Sequence, residues 1–106
     1  TATGLWRVDL GGTTPSSSTG PSGGQAGGTD NYAHIEASNG FTGQNSTLTS
    51  VALSMPNGGF VQFYYHMYGA AMGTLYVDVY DGTWHNDQWH RTSQQQTSNS
   101  APWTQA

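Results

Sequence analysis

The residues that could carry out chemistry are few and scattered along this chain. The histidines are His34, His66, His85 and His90, and Asp and Glu together number six. His85 and His90 are five residues apart on a predicted strand, so they lie on opposite faces and are poorly placed to bind one metal ion. Serines are abundant, but no Ser-His-Asp set can be separated from chance in the sequence. These patterns predict neither a metal centre nor a nucleophile.

Acid–base cleavage of a glycosidic bond would need two carboxyl groups that face each other. Glu36 and Asp78 are one possible pair, but no pattern in the sequence brings them together. We therefore expect that the protein is not an enzyme, and that it has no catalytic residue, no metal ligand and no cofactor.

Aromatic and β-branched residues alternate with polar ones along residues 59–80. This period of two predicts two strands with one buried face, joined by a turn between Gly69 and Gly73. If the turn is centred on Ala71, His66 lies opposite Tyr76 and Tyr64 lies opposite Asp78. The predicted core residues are Val61, Phe63, Tyr65, Met67, Leu75, Val77 and Val79. The predicted outer face, a candidate binding surface, consists of Gln62, Tyr64, His66, Tyr68, Tyr76, Asp78 and Tyr80.

Shorter strands are predicted on both sides of this hairpin. They cover residues 5–10, 30–38, 47–55 and 84–91, and a last one begins at Trp103. Residues 11–29 are rich in Gly, Ser and Thr, and we expect an ordered surface loop there, since long loops inside small domains are often functional. No segment has the apolar spacing of a helix. Residues 1–106 are thus predicted to form one all-β domain, an antiparallel β-sandwich of jelly-roll type.

Composition limits the class of partner. Charged residues make up 8% of the 106 residues, against roughly 25% in an average domain, and lysine is absent. A net charge of −4 leaves no basic patch for nucleic acid or an anionic membrane. No apolar run approaches the roughly 20 residues that a membrane-spanning helix needs. We expect neither nucleic-acid binding nor membrane insertion.

Several motifs resemble those of MAM domains, extracellular β-sandwich modules named after meprin, the A-5 antigen and receptor tyrosine phosphatase mu. Residues 63–69 and 72–75 are similar to the central hairpin of that family. The likeness also covers Trp6, Thr19-Gly20-Pro21, the segment from Asn31-Tyr32 to Glu36-Ala37-Ser38, Trp84, and Gln94-Gln95 through Trp103. It extends over nearly the whole chain in order. The short strands and long Ser/Gly/Thr loops most resemble bacterial members.

The sequence departs from the family pattern in two ways. Many MAM domains resemble one another in carrying an acidic ion site, yet the acids expected before Trp6 and after Pro21 are missing here. Because a hard cation prefers several carboxylate ligands, the family's metal site is expected to be lost, with Asp30 as the remaining candidate. The strands that open and close the family's fold also lack a counterpart. We therefore expect the domain to be incomplete at both ends.

The resemblance implies a non-catalytic interaction or adhesion module on a secreted or cell-surface protein. It would self-associate or serve as an accessory domain, with a strand from a protein partner or from another copy added at an open sheet edge. The alternative is a carbohydrate-binding module that holds a polysaccharide on the aromatic outer face.

Overall fold

The computed structural model describes residues 5–9, 11–38 and 40–106, and six β-strands lie within these ranges. They are β1 (Trp6–Asp9), β2 (Tyr32–Ile35), β3 (Tyr64–Tyr65), β4 (Thr74–Tyr80), β5 (Trp84–Thr92) and β6 (Thr104–Gln105). The described part of the chain contains no helix, and therefore none that could span a membrane. All strand pairing is antiparallel, which confirms the predicted all-β sandwich class. Leu10, at the end of the first predicted strand, lies outside the described residues.

The strands form three two-stranded ribbons, β1–β2, β3–β6 and β4–β5. In the first, Trp6 lies opposite Ile35, and in the second, Tyr65 lies opposite Thr104. The β4–β5 ribbon is the longest, because its strands have 7 and 9 residues. Its register shifts between Val77 and Val79, as at a β-bulge.

The predicted hairpin between β3 and β4 is wrong. β3 pairs with β6, while β4 turns back onto β5, so that Tyr76 lies opposite His90 and not His66. The turn at Asp81-Gly82 explains the difference, since Gly82 has a φ of 106° and an Asp-Gly pair between two strands is a strong local hairpin signal. A nearby strand of matching length is reached at less entropic cost than one across a longer loop.

Trp89 on β5 joins the β4–β5 ribbon to β3. Its ring meets Phe63 edge-on, with centroids 5.0 Å apart, and it meets Tyr65 at 5.3 Å. Tyr65 is buried at this contact, and Met67, two residues beyond the end of β3, is also buried. Edge-to-face ring pairs contribute roughly 0.5–1.5 kcal/mol beyond the area they bury, so Trp89 is a main link between two ribbons.

Trp103, next to β6, makes the corresponding link on the other side of the β3–β6 ribbon. Its ring lies 5.6 Å from that of Tyr32 on β2, and its Nε1 donates a hydrogen bond to the carbonyl of Gly23 at 3.1 Å. The hydroxyl of Tyr32 in turn donates to the carbonyl of Gly12 at 2.8 Å. The glycine-rich segment 11–29 is therefore fixed to the core at both of these carbonyls, as an ordered loop would be.

The side chain of Gln96 is polar and buried, and it makes hydrogen bonds that a neighbouring strand would otherwise make to the backbone after β3. Its Oε1 accepts a hydrogen bond from the backbone N–H of Met67 at 2.6 Å, and its Nε2 donates to the hydroxyl of Thr104 at 3.0 Å. The backbone N–H of Gln96 donates to the carbonyl of Met67 at 3.2 Å. The side chain thus satisfies backbone groups beyond the end of β3 and ties them to β6.

Replacing Gln96 with Ala should lower the free energy of unfolding by about 1–3 kcal/mol, since a buried N–H loses its partner. Denaturant titration followed by tryptophan fluorescence would measure the change. Gln62→Ala is the matched control, because Gln62 is exposed and its truncation should alter stability by less than about 0.5 kcal/mol. Equal effects of the two substitutions would contradict this role of Gln96.

Candidate functional site

The residues predicted to share an outer face do not form one surface. Tyr64 is exposed on β3, where its hydroxyl donates to Oε1 of Gln105 at 3.2 Å. Tyr76, Asp78 and Tyr80 lie on β4, which belongs to a different ribbon. The structure therefore separates the candidate binding residues into two groups, and Gln62 lies exposed before β3.

His66 and Tyr68 are partly buried and do not face outward as predicted. The ring of His66 packs against that of Trp103 at 5.6 Å, and the backbone carbonyl of Tyr68 accepts hydrogen bonds from Gly20 N–H and Thr19 Oγ1. Tyr68 therefore holds the 11–29 loop next to the segment that follows β3, and His66 holds the region before β6. In this structure the ring of His66 packs against Trp103, and Tyr68 anchors the loop through its backbone carbonyl.

Burial lowers the pKa of His66 below its usual value, because a charged imidazolium loses its hydration there. The carbonyls of Ser98 and Ala101 act in the opposite direction, but more weakly. Neither ring nitrogen makes a hydrogen bond of good geometry, although both are buried. The native fold therefore favours the neutral ring.

The outward side of the β4–β5 ribbon carries two pairs of exposed rings. Tyr80 and Trp84 lie 5.1 Å apart next to the Asp-Gly turn, and Tyr76 and His90 lie 5.8 Å apart further along the ribbon. Tyr76, Tyr80 and Trp84 expose 56%, 61% and 55% of their surfaces. We call Tyr76, Tyr80, Trp84 and His90 the aromatic face. Trp84 and His90 were missed as site residues because β5 was not recognised as the partner of β4.

Two carboxylates lie within the aromatic face. Asp87, which has a positive φ of 55°, donates its backbone N–H to Oδ1 of Asp78 at 2.7 Å. Its own Oδ1 is 2.6 Å from Nδ1 of His90. At the turn, Oδ1 of Asp81 is 2.8 Å from Nε2 of His85, and this hydrogen bond lowers the pKa of Asp81. The face thus combines exposed rings with carboxylates that are held in place.

An apolar cleft lies on the opposite side of the ribbon. It is lined by the side chains of Met55, Phe60, Val61, Phe63, Val77, Val79 and Trp89, among others. Phe60 exposes 86% of its surface, and Val61 and Val79 are also exposed. Of the predicted core, Tyr65 and Met67 are buried, while Phe63, Leu75 and Val77 are half-buried. Placing Val61 and Val79 inside was wrong for the chain alone, because β3 meets this side of the ribbon at Trp89 and leaves these two side chains exposed.

The described residues do not fit a carboxylate-rich calcium site. Asp30, the remaining candidate, accepts a hydrogen bond from Ala26 N–H through Oδ2 and has a buried Oδ1 without a partner. One carboxylate is far fewer than the six to eight oxygen ligands that calcium prefers. Within the described ranges, no three His, Asp or Glu side chains cluster as a metal site would require. The loss of the family's ion site stays a prediction.

Comparison with known protein families identifies the family of this chain. The model of the family "MAM domain, meprin/A5/mu" matches residues 2–106. The chain belongs to the MAM family. It is 45% identical to MAM domain-containing protein 2 of Mus musculus over 67 residues, 62% of this chain and 10% of that protein. Its identity to Thyroid hormone-induced protein B of Xenopus laevis is 43% over 75 residues, 70% of this chain and 11% of that protein.

The human MAM domain-containing protein 2 is 37% identical over 90 residues, which is 82% of this chain and 13% of that protein. This MAM chain therefore spans about a tenth of the length of these curated relatives. No solved structure matches the chain. MAM domains are non-enzymatic, adhesion-type modules of extracellular and cell-surface proteins. None of these three relatives is bacterial, and the bacterial likeness stays a prediction.

His66 should make the MAM fold less stable in acid. Because its native pKa lies below the value of 6.5 expected when unfolded, the unfolded chain binds more protons between those two values. The contribution of neutral His66 is full above pH 6.5 and is lost as the pH falls toward the native pKa. His66→Phe should therefore reduce the drop in Tm between neutral and mildly acidic buffer. His85→Gln, at an exposed position, should leave that drop in place, and an unchanged drop in His66→Phe would contradict the assignment.

Thermal melts in calcium and in chelator should coincide, since within the described residues no three His, Asp or Glu side chains cluster, and Asp30 Oδ1 is a single buried carboxylate oxygen without a hydrogen-bond partner. A ligand that binds the native state tightly would raise Tm. Differential scanning fluorimetry measures this directly. A calcium-dependent rise of many degrees would show that the domain keeps an ion site.

Proposed function

We propose that this chain is a non-catalytic adhesion module of an extracellular protein, and that it associates through the apolar cleft with another copy of itself. The observation that supports this most strongly is the exposure of Phe60 and Val61 beside Trp89. Contiguous apolar surface of this kind on a soluble protein marks an interaction site more often than scattered apolar residues do. The family's adhesion-type character agrees with this role.

The energetics favour a partner over solvent. Burying an exposed Phe, Val or Met side chain fully contributes about 1.5–3 kcal/mol each. Met55, Phe60, Val61 and Val79 are 40–86% exposed at the cleft, so covering them would gain part of these values and offset a share of the roughly 4–15 kcal/mol that association costs. A second copy is a natural occupant, because it brings the same exposed side chains and a self-complementary contact can close as a dimer.

Strand addition would stabilise the same contact. Within the described residues, neither β4 nor β5 pairs with a third strand, so backbone groups along the outer edges of the ribbon are free to pair with an added strand. The chain has no lysine, the residue most often used to protect an edge from pairing. An alternative source of that strand is the rest of the parent protein, and the proposal does not depend on whether the family's first and last strands are absent.

Replacing Phe60 with Ser should weaken self-association without harming the fold of the single chain, because the side chain is almost entirely exposed. Sedimentation velocity across a concentration series should show the wild type shifting to a larger species, with Phe60→Ser shifted less or not at all. Full burial of one Phe side chain contributes about 1.5–3 kcal/mol, so its loss should lower the association constant by roughly tenfold or more, since tenfold corresponds to about 1.4 kcal/mol.

Phe41→Ser is the matched control, because Phe41 exposes 74% of its surface and does not line the cleft. It should associate like the wild type. A wild-type chain that stays monomeric at all concentrations, or equal losses in both variants, would overturn self-association through the cleft. Binding only to a flanking segment of the parent protein would point to the alternative occupant.

A further inference from the structure

We propose that the aromatic face binds a neutral polysaccharide, which is a function beyond self-association. The face lies on the opposite side of the β4–β5 ribbon from the apolar cleft, because successive side chains on a strand alternate. Tyr76, Asp78 and Tyr80 point one way, while Val77 and Val79 line the cleft. One ribbon can therefore hold a protein partner on one side and a glycan on the other.

The exposed rings are suited to stack on sugars. The face of an aromatic ring carries partial negative charge and attracts the C–H bonds that cover one side of a pyranose ring. Tyr80 and Trp84 are both more than half exposed although they belong to well-paired strands. The Tyr76–His90 pair lies four residues along β4 from Tyr80, about 13 Å at 3.3 Å per residue. A chain of linked sugars would contact both pairs, whereas a single sugar would contact only one.

The polar groups among the rings match the hydroxyls of a sugar. Asp78 and Asp87 are exposed carboxylates, and each oxygen can accept more than one hydrogen bond. The hydrogen bonds of Asp87 to Asp78 and to His90 fix their orientation before a ligand arrives, which reduces the ordering cost of binding. Hydrogen bonds to a charged acceptor are stronger than those between neutral groups.

The negative charge of this face disfavours several other classes of partner. Asp78 and Asp87 lie on it, Asp81 lies at its turn, and the whole chain has a net charge of −4. Like charge would repel nucleic acid, anionic membranes and acidic polysaccharides. A protein surface that covered the rings would bury these carboxylates, and an unpaired buried charge is costly. A neutral polyol satisfies the carboxylates and the rings together.

Binding to polysaccharides of known charge tests this directly. The wild-type chain is applied to insoluble cellulose and chitin, and to soluble xyloglucan, galactomannan and the anionic polymer alginate, with affinity electrophoresis for the soluble ones. We expect retention by at least one neutral polymer and none by alginate. Trp84 is the only exposed tryptophan of the four in the chain, so binding should also shift the wild-type fluorescence.

Trp84→Ala and Tyr80→Ala should each weaken that binding by roughly tenfold, the size expected when an aromatic anchor is truncated. Tyr64→Ala and Phe41→Ala are the controls, because both remove exposed rings outside the aromatic face, and both should bind like the wild type. Thermal melts confirm that each variant is folded, and the fluorescence shift of the wild type gives a readout that needs no variant.

Absence of binding to every neutral polymer would overturn the proposal, as would binding to alginate alone. Binding that survives Trp84→Ala and Tyr80→Ala, or that is lost in Tyr64→Ala, would also overturn it, since the ligand would then lie elsewhere. Trp84→Ala should sediment like the wild type. Failure of glycan binding is thereby distinguished from failure of self-association, which depends on Phe60 on the other side of the ribbon.

Discussion

Ring contacts made by two tryptophans hold this MAM chain together. A two-stranded ribbon is marginally stable in water by itself, and the described part of the chain contains three of them. Trp89 packs the β4–β5 ribbon onto Phe63 and Tyr65, while Trp103 packs β2 and its preceding loop onto the other side of β3. Arg91 lies over the ring of Trp89 at 4.7 Å and adds a cation–π contact. These ring contacts, together with the hydrogen bonds from the backbone N–H groups of Gln95 and Gln96 to the carbonyl of Met67, join the ribbons into one fold.

Such a small core has a consequence for function. Trp89 covers only part of the inner side of the β4–β5 ribbon, and the cleft beside it exposes Phe60, Val61 and Val79. The outer side of the same ribbon carries rings and carboxylates, a mixed surface that is easily hydrated. The two sides therefore differ in chemistry: one favours burial against apolar side chains, and the other favours hydrogen bonds to a polar ligand.

Local patterns predicted the fold class well, because alternation and turn residues act over a few positions. The alternation from Thr74 to Tyr80 correctly indicated a strand with two distinct sides. Pairing depends on which strand is nearest in space, and here the Asp81-Gly82 turn brought β5 to β4 ahead of β3. A strand over residues 84–91 was predicted, but it was not paired with β4, because β5 is polar, with His, Asn, Asp and Gln between its tryptophans, and shows no apolar alternation to match that of β4.

The site was only half predictable for the same reason. Tyr76, Asp78 and Tyr80 were found because they alternate on β4, whereas Trp84 and His90 join them only through the β4–β5 register. His66 was assigned to the outer face by alternation, yet Trp103 covers it from 37 residues further along the chain. Long-range contacts of this kind leave no local pattern. The motifs shared with MAM domains indicated the family without revealing which strands meet.

We expect the apolar cleft on the inner side of the β4–β5 ribbon to bind a second copy of the chain. Amide hydrogen exchange at low and high protein concentration tests it most directly, because protection reports local opening and coverage. Protection of the amides in residues 55–61 and in β4 should rise with protein concentration, while protection of β1 and β2 should not change. Protection of residues 55–61 and β4 that is independent of concentration would contradict it.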